Sequence, residues 1–309
     1  MIHSKLPILA LTLAAFTSAS AADAEIARLP AVTSSATSLG AISFPPAGFL
    51  PVPGPVENRA ADETGRPEWT SHRRFTTTRV YLQKAPWEVG CEQWYRVRQN
   101  RDHTVENLFQ HEIEIGLPGR MQLDIYENWV ADGNRRAHHD NVAFELRFAF
   151  ADWGKIPGNP TLYAEYKLAD AHYGPDVYEF KLLLGDALTP RLHWALNGAF
   201  EQEIGGERAT EFAIQGGLSY TVIDGKLGIG IEAQYKDESV AGGRGDSRRR
   251  FLIGPSIQWR PTPRTHLDFT AQWGTNGDAQ NFEGFVVFGI DFGRIGGAAH
   301  YQPTAGRSN

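Results

Sequence analysis

Val142-Ala143-Phe144-Glu145-Leu146-Arg147-Phe148-Ala149-Phe150 decides the fold of this chain. On an extended backbone Val142, Phe144, Leu146, Phe148 and Phe150 fall on one side, and Ala143, Glu145, Arg147 and Ala149 on the other. The stretch is as long as a strand that crosses a bilayer at a tilt. One wholly apolar face opposite a charged one suits a wall with lipid outside and a polar lumen inside.

The same pattern extends both ways. Upstream, 121–129 sets Leu123 and Ile125 against Gln122, Asp124 and Tyr126. Residues 108–115 set Phe109, Ile113 and Ile115 against Gln110, Glu112 and Glu114, and a weaker strand is expected at 87–97. Downstream, alternation recurs at 162–168, 178–184, 192–201, 212–222, 227–235, 251–260 and 267–273. The last strand carries Phe288, Ile290 and Phe292. This predicts an all-β fold, a transmembrane antiparallel barrel of about twelve strands. Leu117-Pro118-Gly119-Arg120, 185–191, the hairpin signal Asp224-Gly225 and Pro261-Thr262-Pro263-Arg264 are tight turns after even strands. The loops 131–141, 170–176, 205–208, 236–249 and 275–281 follow odd strands. That arrangement places the short turns and the N-terminus in the periplasm. Trp129, Tyr178, Tyr235, Trp259 and Trp273 sit near strand ends, as an aromatic girdle does.

Some residues break the pattern. Gln93 and His111 fall on the apolar face, Pro255 interrupts a strand, and Glu127 also faces out, placed here near an interface. A secreted β-sandwich would alternate too, but with evenly short turns.

Composition agrees with a barrel. The 309 residues have a net charge of −6 and a mean hydropathy of −0.36, and no long apolar run follows the N-terminus. No membrane-spanning helix is therefore expected, and a barrel escapes hydropathy windows because only alternate residues meet lipid. The acidic balance argues against nucleic acid. Cys91 is the only cysteine, which excludes a disulfide framework.

Lys5, the apolar stretch 6–16 and Ala19-Ser20-Ala21 read as a secretory signal of residues 1–21, with the mature chain starting near Ala22. Residues 22–84 read as a Pro/Ala/Gly-rich periplasmic segment or plug. Within it Phe75, Val80, Tyr81 and Leu82 are apolar enough to pack at the barrel mouth or inside. The barrel is expected over 85–293 and a tail over 294–309.

Glu112-Ile113-Glu114-Ile115-Gly116-Leu117, Arg120-Met121-Gln122-Leu123, Phe144-Glu145-Leu146-Arg147-Phe148, Asn159-Pro160-Thr161-Leu162-Tyr163-Ala164-Glu165-Tyr166 and Leu183-Leu184-Gly185-Asp186 carry a resemblance. With them the chain resembles outer-membrane β-barrel transporters of the MetA-pathway-of-phenol-degradation type, over about 80–293. The resemblance implies a barrel and passage of small hydrophobic or aromatic compounds. It brings no catalytic residues, and the C-terminal tail departs from the final aromatic common in outer-membrane chains.

If the apolar faces meet lipid, the polar faces line a lumen. The expected lining carries Glu112, Glu114, Asp124, Glu145, Glu165 and Glu179, then Glu201, Glu211, Glu232, Asp268 and Asp291. Its bases are Arg147, Lys167, Lys181 and Arg260. A carboxylate excess in a narrow tube would favour cations or neutral solutes. Equally, Glu145 with Arg147 and Glu165 with Lys167 would pair and fill a closed barrel. Gly228 and Gly230 leave space on the inner wall, which favours a solute path. Catalysis is not expected. His193 and His266 face the lumen, but no nucleophilic Ser stands beside either, as an outer-membrane hydrolase would need. His138-His139-Asp140 is a solvated loop rather than a metal site. Arg244-Gly245-Asp246 is read as chance, and Arg248-Arg249-Arg250 as a solvated loop end or a contact for lipopolysaccharide phosphates. No cofactor is expected. The expectation is therefore a passive outer-membrane channel for small molecules, with a closed structural or surface-binding barrel as the alternative.

Overall fold

The computed structural model describes residues 56–71, 73–132 and 137–293. The expected signal, its cleavage site, the first part of the Pro-rich segment and the C-terminal tail lie outside them. The strands are β1 (Val89–Gln99), β2 (Val105–Leu117), β3 (Met121–Asp132), β4 (His138–Ala149), β5 (Thr161–Ala169) and β6 (Asp176–Thr189). They continue as β7 (Leu192–Ile204), β8 (Thr210–Ile223), β9 (Leu227–Ser239), β10 (Arg248–Thr262), β11 (Thr265–Gly274) and β12 (Phe282–Phe292). Each pairs antiparallel with its sequence neighbours, and β1 pairs with β12, Val89 opposite Phe292. The twelve strands thus form a closed barrel without an edge, so strand backbone groups find partners within the wall.

Register fixes the faces. Ile125 opposes Phe144 and Leu123 opposes Leu146, while Asp124 opposes Glu145 and Gln122 opposes Arg147. Phe144 and Leu146 are 47% and 43% exposed, whereas Glu145 and Arg147 are buried. Aliphatic and aromatic groups outside with charges inside invert the soluble pattern and match a lipid-facing wall.

The structure corrects several sequence boundaries. The barrel begins at Val89 rather than at residue 85, and Trp87 precedes β1. β6 runs on to Thr189, leaving two residues for the turn expected at 185–191. The 236–249 loop shrinks because β9 reaches Ser239 and β10 starts at Arg248. The 131–141 loop likewise gives way at both ends, so His138, His139 and Asp140 open β4. Pro255 lies within β10, where the pairing with β11 skips from Ile253 to Ser256. Proline cannot donate to a ladder, which accounts for the gap.

Residues 56–88 lie against the inside of the wall, with a 3-10 turn at Val56–Asn58 and one helical turn at Glu68–Ser71. Their Trp69, Phe75, Val80, Tyr81 and Leu82 pack with Ala149 and Ala195 of the wall into the apolar core. The barrel makes room for them with glycine. A Cβ on Gly217 would lie 2.6 Å from the Phe75 ring, and one on Gly185 would lie 2.8 Å from Val80. The space expected to favour a solute is taken up too, by the segment at Gly228 and by the wall itself at Gly230. Arg74 lies 2.6 Å from a Cβ on Gly228, and a Cβ on Gly230 would meet Leu218 O at 2.6 Å and Ser256 Oγ at 2.8 Å.

At the short-turn end the connection 150–160 is an exception in length. Its Trp153 ring meets Trp69 and Tyr81 edge-on at 5.5 and 5.3 Å, and the Tyr81 hydroxyl donates to Ala151 O. This long turn is therefore part of the dock for the inner segment.

Candidate solute path

The lumen has two levels. At the lower one, the inner segment meets the charges of β1–β4 and β9–β12. Its last two residues, Trp87 and Glu88, extend the β1–β2 ladder through backbone bonds to Gly116. Upstream of them the described residues share no strand ladder with the wall, and wall side chains satisfy much of their backbone. Glu232 accepts from the N–H groups of Thr76 and Thr77 at 2.9 and 2.7 Å. Asn197 bonds both ways with Arg79, and Gln122 accepts from Gln83 and Lys84. Unpartnered buried backbone groups are costly, so these side chains define a seat for an extended chain.

Charge locks the seat. Arg73 bridges Glu92 at 2.5 Å and Glu114 at 3.3 Å, and stacks over Trp94 at 4.6 Å. Lys84 reaches Asp291 at 2.5 Å and Glu114 at 3.0 Å. Burial alone would lower both basic groups. For Arg73 the carboxylates Glu92, Glu114 and Glu112 outweigh it, and for Lys84 Glu114 and Asp291 do, so both are held above their usual range. Arg147 ties Asp124, at 2.8 Å, to Glu145 and to Gln83 of the segment. Ligand oxygens of Glu92, Glu112 and Glu114, and of Glu112, Asp124 and Glu145, come within 4.8 Å of one another. Such sets attract cations, and Arg73, Lys84 and Arg147 supply the positive charge here.

Above Thr76, Thr77 and Arg79 lies an open vestibule of about 370 Å³ on the long-loop side. Its wall alternates charges. Lys167 contacts Glu165 at 3.1 Å and Glu201 at 2.7 Å, and Glu179 takes Lys181 at 3.0 Å. Glu211 holds Lys236 at 2.8 Å and Arg250 at 2.6 Å. Tyr126 and Tyr163 both donate to Glu165, and Lys181 sits over the Tyr163 ring at 4.2 Å. This surface offers donors, acceptors and aromatic faces together, suited to small polar molecules.

The fifteen residues expected at the lining thus separate. Glu112, Glu114, Asp124, Glu145, Arg147, Glu232, Arg260, Asp268 and Asp291 are buried at the lower level. Glu165, Lys167, Glu179, Lys181, Glu201 and Glu211 line the vestibule. Sequence reasoning missed Glu92, although its place opposite Glu112 follows once the weak first strand is registered. It also missed Glu283, Arg96, Trp94 and Lys236, and the segment's own Arg73, Arg79 and Lys84, which carry no periodicity.

Other candidates resolve differently. His138 stacks on Tyr173 at 3.7 Å and His139 meets Trp129 at 5.5 Å, and successive strand residues point to opposite faces. Arg250 is not a solvated loop end but an ion-pair partner of Glu211 and Glu238. Ser219 does stand opposite His193 across the ladder, but its hydroxyl donates to Gln258 at 3.2 Å. Both His193 nitrogens lack hydrogen-bond partners among the described residues, and the ring lies 4.5 Å from Trp69. His266 is held between Asp268 at 2.8 Å and Glu92 at 3.2 Å. Among the described residues neither histidine is hydrogen-bonded to a side-chain hydroxyl.

A closed twelve-stranded antiparallel wall, apolar outside and charged inside, defines an outer-membrane-type β-barrel. Residues 167–292 match the family described as "Putative MetA-pathway of phenol degradation", so the expected resemblance to outer-membrane barrel transporters is found, from β5 to the end of β12. Of the motifs quoted for it, only Leu183-Leu184-Gly185-Asp186 lies inside the matched stretch. An outer membrane channel from Pseudomonas putida F1 superposes with a TM-score of 0.53 at 11% identity, over 69% of this chain and 97% of that one. The NanC porin gives 0.46 at 12% identity over 67% and 100%, and the KdgM porin 0.47 at 11% over 66% and 99%. No curated protein matches the chain.

Proposed function

We propose that this barrel is a passive channel for small polar or cationic molecules in the outer membrane, and that residues 56–88 act as its removable floor. The observation that carries this reading is how the segment is bound. Upstream of Trp87, side-chain ion pairs and hydrogen bonds hold it, with no shared strand ladder among the described residues, beneath a vestibule open to the loop side. Such contacts can be broken without opening the wall. A solute would enter the mixed-charge vestibule and stop at Thr76, Thr77 and Arg79. Once the segment leaves, Glu92, Glu112, Glu114, Asp124 and Asp291 line the lower lumen without Arg73 and Lys84. The cation preference therefore belongs to the open state. Nothing in the arrangement of His193 or His266 supports a hydrolase.

The filled lower lumen also favours a second reading, a closed structural or surface-binding barrel. Planar-bilayer recording of the mature protein under a salt gradient separates the two. The channel reading expects rare discrete steps whose reversal potential is cation-selective. Steps selective for anions would sink the electrostatic part. Silence under every voltage and salt condition, with folding and insertion verified, would favour the closed barrel.

A further inference from the structure

Three outward-facing polar residues form a row across three adjacent strands. Gln93 opposes His111 across β1 and β2, and His111 opposes Glu127 across β2 and β3. All three lie well inside their strands. Gln93 is fifth of the eleven residues of β1, His111 seventh of the thirteen of β2, and Glu127 seventh of the twelve of β3. Their neighbours on this face are apolar: Ile113, Ile125, Val142, Phe288 and Ile290. Together with Cys91 these line a groove of about 570 Å³ on the outside of the barrel. Gln93 donates to the carbonyls of Trp94 and Gln110, whereas among the described residues neither His111 nor Glu127 has a hydrogen-bond or ion-pair partner. Unpaired ionisable groups against hydrocarbon are expensive, and they usually mark a place where lipid is replaced by something else.

We propose that this face is the interface of a dimer formed by a second copy of the chain. The argument for that occupant is self-complementarity. A two-fold axis between β2 and β3 sets His111 of each copy against Glu127 of the other, satisfying donor and acceptor twice with no further partner. The apolar residues of the groove then supply close packing around the pair, as an interface core does.

Cys91 makes the test direct, because the only cysteine of the chain is exposed on this face. It lies about one and a half strands and two residues from the proposed axis. Strand spacing and rise place it about 10 Å from the midpoint of the His111–Glu127 pair, so the two thiols would be at most about 20 Å apart. The experiment treats the mature protein in lipid vesicles with a membrane-permeant bismaleimide of about that span. A cross-linked dimer is expected, absent in Cys91→Ser and reduced at least tenfold in Glu127→Leu. Exchanging the pair, His111→Glu with Glu127→His, should restore it, which a variant that merely misfolds would not do. Absence of a dimer from the wild-type protein overturns the proposal. So does a cross-link insensitive to Glu127→Leu, or an exchange variant that is folded, by its heat-modifiable gel migration, yet monomeric.

Discussion

Replacing Arg73 with methionine tests how the inner segment is held. The guanidinium is buried and bridges Glu92 and Glu114, so removing it takes the closest cation from Glu92, which keeps only His266 and Trp94, and leaves Glu114 to Lys84 alone, both away from water. Breaking a buried ion pair from one side costs about 3–5 kcal/mol. At about 1.4 kcal/mol per factor of ten, the undocked population should rise between about a hundred- and a few-thousand-fold. The assay is open probability in planar bilayers, with trypsin sensitivity of residues 56–88 as a second readout. Adding Glu92→Gln to Arg73→Met should recover much of the docking, because the stranded charge is what makes the single change expensive. The single variant should also open less at pH 5 than at pH 8, since a carboxylate without its partner can take up a proton instead. An Arg73→Met protein with wild-type open probability and wild-type resistance to trypsin would refute the reasoning. So would a double variant no better docked than the single one.

Further expectations follow from the same contacts. Gly217→Val places a side chain where the Phe75 ring lies 2.6 Å from the ideal Cβ position, and should loosen the segment by about 1–3 kcal/mol, read as faster trypsin cleavage in an intact barrel. Trp153→Ala removes two edge-on aromatic contacts, at about 0.5–1.5 kcal/mol each, and should act in the same direction from the turn side. Lys84 should keep the segment docked in alkali. Its ammonium is held above the usual range, so its contribution is complete below the ordinary lysine value of about 10.4, declines as pH rises beyond that and is lost once pH reaches the higher docked value. Trypsin resistance that collapsed at pH 10 in wild-type but not in Lys84→Met would contradict this.

The wall was legible because lipid on one side and charge on the other impose a strict period of two. Phe144, Leu146 and Phe148 against Glu145 and Arg147 sufficed to place β4. Strand ends were not, because beyond the hydrocarbon both faces meet water and the alternation fades. Tyr235 to Ser239 and Arg248 to Arg250 continue the ladder with mostly polar residues. The lining residues were legible as a face, but not their division into a locked lower level and an open vestibule. That division depends on residues 56–88, an irregular segment whose backbone is satisfied by distant side chains such as Glu232 and Asn197. Gly217 and Gly185 carried a trace of it, as gaps shaped for Phe75 and Val80. Their meaning emerges only when the two parts of the chain are placed together.

The central claim is that residues 56–88 are the removable floor of a channel. Its most direct test compares single-channel conductance of the mature chain with that of a variant lacking residues 56–84, both shown by gel migration to be folded and inserted. The account predicts rare openings for the mature chain, and sustained, cation-selective steps for the deletion. A folded deletion variant that conducts no more than the mature chain would contradict it.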